Sequence, residues 1–200
     1  LNLFTHFLKD QDRPIAPQNI DRLIQVKSRH YFKAIEQDVP TIQSSIAFVK
    51  NIPSDVALTI ASGAARKEID FILDQLNLGP RFSPIIAASD VEHGKPHPES
   101  FLKALEGLQR VHPSLERDRT IVIEDSYRGI DSAHQAGMKC VALSTTYPPE
   151  KLVEADLVLE TLEGWSLEQL AARLEWSSHP RDSRSQYRKA DCSDPRSHPP

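Results

Sequence analysis

Cysteine is nearly absent from the chain: Cys140 and Cys192 are the only two in 200 residues. Two thiols cannot form a disulfide framework, and one falls in a polar tail, so a reducing, cytoplasmic compartment is expected. Long apolar runs are missing as well; none approaches the roughly 18 residues that a membrane span requires. Basic charge is not in excess, since 24 Lys and Arg stand against 28 Asp and Glu for a formal net charge of −4. That balance leaves no global footprint for nucleic acid. No basic stretch followed by an apolar one opens the chain, so no signal peptide is visible. Internal repeats are not apparent. The chain opens at Leu1 without an initiator Met, which leads us to expect a natural N-terminus further upstream. What is present is ordinary for a globular protein, with 39% hydrophobic and 26% charged residues. The length suffices for one domain, or one domain and part of another, with a sizeable core.

Three compositional zones follow one another. Residues 1 to about 50 are polar and helix-like: Ile20, Leu23, Ile24, Tyr31 and Ile35 approximate a 3.6-residue stripe behind Pro14 and Pro17, and Ile42, Ile46 and Val49 predict a second short helix over 41–50. From Asp55 to about Leu174, short apolar runs alternate with longer helical segments. The runs are 56–60, 84–88, 120–123, 140–143 and 156–159; helices are predicted near 64–76, 98–110, 127–136, 148–154 and 166–175. Continuous apolar strands with helices between them predict a parallel sheet covered on both faces, a doubly wound α/β domain with right-handed crossovers. The last stretch, 177–200, is Ser, Pro, Arg, Asp and His with almost nothing apolar, and is expected to be a disordered tail.

In open parallel sheets, ligands bind beyond the carboxyl ends of the strands. After the first run stands Ala61-Ser62-Gly63-Ala64-Ala65-Arg66, a hydroxyl and a Gly leading into a helix, which suits an anion such as phosphate; the plainer alternative is that Ser62 caps that helix. After the second comes Ser89-Asp90-Val91-Glu92-His93-Gly94-Lys95-Pro96-His97-Pro98, where Lys95 is a point charge fit to neutralise phosphate or carboxylate, or else an ordinary loop lysine. After the third comes Glu124-Asp125-Ser126. Two carboxylates directly after a buried strand are costly unless paired or bound to a cation, and hard oxygens of this kind suit Mg²⁺; Asp125 or Ser126 as a helix cap is the alternative. Each signal is weak alone, but they stand at the ends of successive strands.

Together these residues resemble the haloacid dehalogenase superfamily of phosphohydrolases. Thr120 to Lys139 resembles that family's fourth motif with its following helix, Gly94-Lys95-Pro96-His97-Pro98 its third, and Ile60-Ala61-Ser62-Gly63 its second. The resemblance extends over roughly 55–160 and implies a Rossmann-like core. It implies that Ser62 and the Gly63 backbone hold a phosphoryl group, that Lys95 neutralises it and orients the nucleophile, and that Glu124 and Asp125 stand near Mg²⁺, Asp125 as the direct ligand. Arg66 is implied as a phosphate contact, with Asp90 and Ser126 in supporting roles. Residues 1–40 then resemble the closing part of a small helical cap, ahead of a core over 41–176. The Glu-Asp-Ser form is similar to the branch of β-phosphoglucomutase and small sugar-phosphate phosphatases. A small phosphorylated metabolite is the implied partner of a monomer, without nucleic acid or membrane.

The family's chemistry begins with an apolar strand ending in Asp-x-Asp-Gly-Thr/Val, whose first Asp attacks phosphorus. Asp10-Gln11-Asp12 has the letters but is followed by Arg13-Pro14 and stands too near Ser62 for a strand, a helix and a full cap; a polar turn is the preferred reading. The expectation is a family member lacking its first strand and the front of its cap, with negligible turnover as it stands. Two rivals are a hydrolytic dehalogenase of 2-halo acids, which needs no Mg²⁺, and a non-catalytic fragment or pseudo-enzyme that keeps a phosphate pocket. His93, His97, His112 and His134 match no common zinc spacing and read as loop or helix-surface residues. Cys140 reads as an inert core thiol, and Trp165 and Trp176 as packing residues.

Overall fold

The computed structural model describes residues 17–174. Asp10, Asp12, Trp176, Cys192 and the tail over 177–200, together with the side chains of Ile20 and Ile24, lie outside the described residues. Helices α1 (Pro17–Gln37) and α2 (Gln43–Asn51) precede an alternating βα succession: β1 (Leu58–Ala61), α3 (Arg66–Leu76), β2 (Phe82–Ile86), α4 (Glu99–Gln109), β3 (Ile121–Glu124), α5 (Tyr127–Gln135), β4 (Lys139–Leu143), β5 (Leu157–Leu159) and α6 (Leu167–Arg173). All five strands expected from the apolar runs form, within two residues of their expected ends. The helix expected over 148–154 does not: only a 3-10 turn at Pro149–Lys151 is present. Pro148 and Pro149 supply no N–H, and so few residues cannot repay the cost of helix nucleation.

Every strand pairing is parallel. β1 pairs with β2, and β3, β4 and β5 pair in that order. Strand β4 shows why the fold is doubly wound. Its odd and even side chains alternate between two cores: Cys140 and Ala142 join Phe101 and Leu105 of α4, Ile130 and Ala133 of α5, and Val122, whereas Val141 and Leu143 join Phe48 of α2 and Leu170 and Leu174 at α6. Trp165 packs against the second of these cores. Period-2 alternation with both faces apolar is what a strand sandwiched between two helix layers requires. A third cluster, Ile69 and Leu73 of α3 with Leu78 and Ala87, covers β1 and β2.

Burial departs from expectation in the sheet and in α1. β4 is buried throughout all but its first residue, yet β1 is only half-buried along its length and Ile123 of β3 is 40% exposed. The reason lies in the pairing. Among the described residues β4 has a strand on each side, while β1 and β3 have one partner each and form no ladder with one another. The α1 stripe also differs: Leu23 and Tyr31 face outward, and the helix meets the body through Ser28, Phe32 and Ile35. The Ser28 hydroxyl donates to the buried Glu68 carboxylate at 2.5 Å, and the Phe32 and Phe71 rings stand 5.2 Å apart. None of the described helices is long and apolar enough to cross a membrane.

α5 ends at Gly137, whose φ of 75° is the left-handed turn that glycine adopts without penalty. Its N–H and that of Met138 reach back to His134 and Ala133 at 2.9 and 3.0 Å, closing a Schellman turn and aiming the chain into β4. Cys140 is fully buried, and burial above all, helped by the charges of Glu124 and Asp156, pushes its thiol up to about 12, so it is inert.

Asp156 ties the ends of β4 and β5 together. Burial works to raise its carboxyl, but the Lys139 ammonium at 2.6 Å, the Cys140 N–H at 2.8 Å and His134 at 3.0 Å together hold it below the ordinary carboxylate range. A folded pKa below the unfolded one adds stability above the unfolded value, about 3.9 for Asp, and that stability is lost as pH falls through it toward the folded value. Asp156→Asn is therefore expected to lower the urea midpoint at pH 7, and the gap from wild type should close as the pH falls below about 4. An equal gap at pH 7 and pH 3 would refute the assignment.

Candidate active site

The carboxyl ends of β1 and β3 and the loop after β2 meet at one side chain, Lys95. Its ammonium donates to the Ala61 carbonyl at 3.0 Å, forms an ion pair with Glu124 Oε1, and lies 4.5 Å from the centre of the Phe101 ring. The pair is secluded: the Lys95 side chain is 20% exposed and that of Glu124 only 8%. An ion pair over an aromatic floor with little water experiences a strong mutual field. Glu124 is fully engaged. Its Oε2 accepts the Ser126 hydroxyl at 3.1 Å and the Asp125 N–H at 3.3 Å.

Asp125 turns the other way. Its Oδ2 accepts the Thr146 hydroxyl from the loop after β4. The expected pair of metal carboxylates is thus divided in this structure, with Glu124 facing Lys95 and Asp125 remaining as the oxygen donor at the end of β3. Ser126 caps α5, accepting the Gly129 N–H at 3.0 Å, so its helix-cap reading holds.

At the end of β1, Ser62 donates its N–H to the Ile86 carbonyl at 2.9 Å, and its Oγ accepts the Ala64 N–H at 3.1 Å. The proton of its hydroxyl remains available to an oxyanion. Ser62 does not cap α3, which begins only at Arg66 with Ala65 as its N-cap; Glu68 reaches back to the Ala65 N–H instead. A Cβ built on Gly63 would meet nothing within 4 Å, so the backbone there borders open space that a ligand can enter. Arg66 is not brought to this point. Its guanidinium donates to Asp70 of its own helix at 2.8 and 3.1 Å. Asp90 closes its own turn by accepting the Ala87 N–H at 2.8 Å.

The Lys95 loop is held in place from α5, by contacts that the sequence did not reveal. Arg128 donates twice to the Lys95 carbonyl, at 3.0 and 2.6 Å; Gln135 donates to that of Pro96 at 3.3 Å, and Ser132 to that of His97 at 2.9 Å. Three successive carbonyls are gripped by one helix, the helix that Asp125 precedes. Arg128 and Thr146 carry no spacing signature of their own; the strand-end rule was applied to the first three apolar runs, and carrying it on to β4 would have led to the neighbourhood of Thr146. Charge-assisted bonds of this kind contribute about 1.5–3 kcal/mol each, net of exchange with water. Arg128→Ala is expected to lower stability within that range and to speed amide exchange at Gly94, Lys95 and His97. Arg128→Lys should restore only part, because an ammonium lacks the planar fork. Unchanged exchange in the Ala variant would remove the clamp.

A family model described as haloacid dehalogenase-like hydrolase matches residues 2–143. The chain belongs to this family. Among haloacid dehalogenase-like relatives, the chloroplastic 5-amino-6-(5-phospho-D-ribitylamino)uracil phosphatase of Arabidopsis thaliana is 30% identical over 153 residues, which cover 76% of this chain and 39% of that protein. The validoxylamine A 7'-phosphate phosphatase of Streptomyces hygroscopicus subsp. limoneus is 36% identical over 107 residues, covering 54% of this chain and 48% of that one. The solved β-phosphoglucomutase of Clostridium difficile superposes with a TM-score of 0.67 at 24% identity, over 84% of this chain and 73% of that one. It shares the haloacid dehalogenase fold. The chain spans about half the length of the curated relatives it matches.

Proposed function

We propose that the chain is the core of a Mg²⁺-dependent phosphatase or phosphomutase acting on a small phosphorylated metabolite, with a sugar phosphate as the expected class. The observation that carries this reading is the convergence on Lys95: one ammonium touches the end of β1 beside Ser62 and Gly63 and the end of β3 beside Asp125. Two relatives named as phosphatases support the class of reaction. In this reading the Ser62 hydroxyl and the open Gly63 backbone receive phosphate oxygens, and Lys95 neutralises them while Glu124 holds it in place. Hard carboxylate oxygen suits Mg²⁺, and Asp125, turned away from Lys95 and steadied by Thr146, fits as its ligand. The ion would supply charge neutralisation at the phosphoryl group. The nucleophile in this family's chemistry is an Asp on a strand ending in Asp-x-Asp; among the described residues β1 and β3 form no ladder with one another, and this reading puts such a strand between them. α1 is read as part of the cap that selects substrate.

The second reading is a phosphate-binding protein without turnover. It is favoured by Glu124: among the described residues it is the carboxylate in contact with Lys95, and it is tied on both oxygens. The dehalogenase reading is the weaker one, because a metal-suited Asp125 has no task in it.

Assay of these 200 residues separates the first two. Release of phosphate from p-nitrophenyl phosphate with Mg²⁺ is expected to be negligible, while inorganic phosphate at many times its Kd should still raise the thermal midpoint. Turnover abolished by Asp10→Asn would make Asp10 the nucleophile. Absence of both turnover and phosphate protection would overturn the cradle itself. The same assay on the natural gene product, with a panel of sugar phosphates, tests the full activity.

A further inference from the structure

The exposed side of the Lys95 loop carries a second cluster that takes no part in the phosphate site. His93, His97 and Glu99 each present one donor atom, all within 4.8 Å of one another. The two imidazole rings lie 4.6 Å apart, tilted by 35°. Both direct Nδ1 toward the start of α4: His93 Nδ1 is 3.3 Å from Glu99 Oε2, and His97 Nδ1 accepts the Glu99 N–H at 3.3 Å. A neutral His93 donates its Nδ1–H to the Glu99 carboxylate, which can only accept, and keeps its lone pair on Nε2, whereas His97, whose Nδ1 accepts, keeps its proton on Nε2; each ring thus retains one lone pair for a metal.

Glu99 is prepared as the third ligand. Its Oε1 takes Lys103 at 2.7 Å and the Glu92 N–H at 3.0 Å, and its Oε2 takes the His93 N–H at 2.9 Å. The Lys103 contact first, then the Glu92 and His93 N–H groups, hold this carboxyl down at about 2. It is therefore ionised wherever the imidazoles are neutral.

We propose that His93, His97 and Glu99 form a binding site for a divalent transition metal of the zinc class, separate from the Mg²⁺ site. Two imidazoles and one carboxylate suit Zn²⁺ and its neighbours and are poor partners for Mg²⁺, which demands oxygen. Three protein ligands with a fourth position open to water is a recurrent zinc arrangement. Bond lengths of about 2.0–2.2 Å require the donors to close in by about 1 Å; His93 and His97 are exposed, so their rings can turn to do so. The consequence falls on the loop between them. Gly94, Lys95 and Pro96 would be fastened on the solvent side by the metal, while α5 grips the Lys95, Pro96 and His97 carbonyls from beneath. His-x-x-x-His is the spacing that sets two zinc ligands on one face of a helix, but residues 93–97 form a loop, so here the turn of the loop must supply the geometry. The site needs no phosphate chemistry, so its failure would leave the phosphohydrolase reading intact.

The test is a calorimetric titration of the 200-residue chain with ZnCl₂ at pH 7, paired with the visible absorption of Co²⁺ as substitute. One equivalent is expected to bind, and excess Mg²⁺ should not displace it. His93→Ala/His97→Ala should lose the site and its Co²⁺ band while its circular dichroism is unchanged. His93→Gln alone should weaken binding at least about tenfold, the lower limit seen for disturbing even an outer partner of a metal site. His179→Ala/Cys192→Ser/His198→Ala should keep it. Binding that survives the double variant, or that disappears only in the tail variant, overturns the proposal, as does a chain that takes up no Zn²⁺.

Discussion

Replacing Lys95 with Met is expected to lower folding stability by about 3–5 kcal/mol, the range found when one member of a buried ion pair is removed. The cause is the group left behind rather than the one taken away. Glu124 has a side chain only 8% exposed, and without Lys95 its charge retains only the Ser126 hydroxyl and the Asp125 N–H. Those two neutral donors cannot offset the desolvation of a carboxylate. The thioether of Met fills the stem's volume and lies well on Phe101, so a packing defect does not explain the loss. Lys95→Met/Glu124→Gln should recover most of the stability, because the amide that replaces the carboxylate carries no charge to strand. Urea denaturation of the two variants beside wild type checks the point. Phosphate protection should be lost in both, which separates the charge needed for binding from the charge needed for folding. A single variant within about 1 kcal/mol of wild type would show that water reaches the pair and that the site is less enclosed than the geometry states.

The sequence discloses the frame of this site better than its wiring. Strands appear as short apolar runs because both of their faces are covered, and the chemistry at their ends follows from the rule about carboxyl edges. Ser62, Lys95 and Asp125 stand after β1, β2 and β3, where that rule directs attention. What was not legible depends on where side chains turn. Glu124 and Asp125 are adjacent letters, yet strand geometry sends neighbours to opposite sides, so one faces Lys95 and the other Thr146. Arg66 reads as a phosphate contact one turn into a helix, but Asp70 at i+4 takes it. The half-burial of β1 and β3 was invisible for another reason: an apolar run states that a strand wants two covered faces, but not how many strands stand beside it.

Gly129→Ala tests the same pair from the opposite side and is expected to destabilise by about 2–4 kcal/mol. On helix propensity alone the change should stabilise, by up to about 1 kcal/mol. Space decides otherwise. A Cβ on Gly129 would lie 2.0 Å from the Glu124 carboxyl carbon and 2.0 Å from its Oε2, where no atom can remain. A carboxylate at the end of a free side chain would swing aside at little cost. This one is pinned by Lys95, by Ser126 and by the Asp125 N–H, so moving it breaks the buried pair, a loss of about 3–5 kcal/mol against which the propensity gain is small. Glycine is required here by close approach, not by a positive φ. The cycle that isolates this cause places Gly129→Ala in the Lys95→Met/Glu124→Ala background. With the carboxylate gone there is nothing to displace, and the substitution should become neutral or stabilising. If Gly129→Ala remained as damaging there as in wild type, the clash would have to lie with the α5 backbone, and Glu124 would lose its place as the residue that both orients Lys95 and dictates the glycine above it.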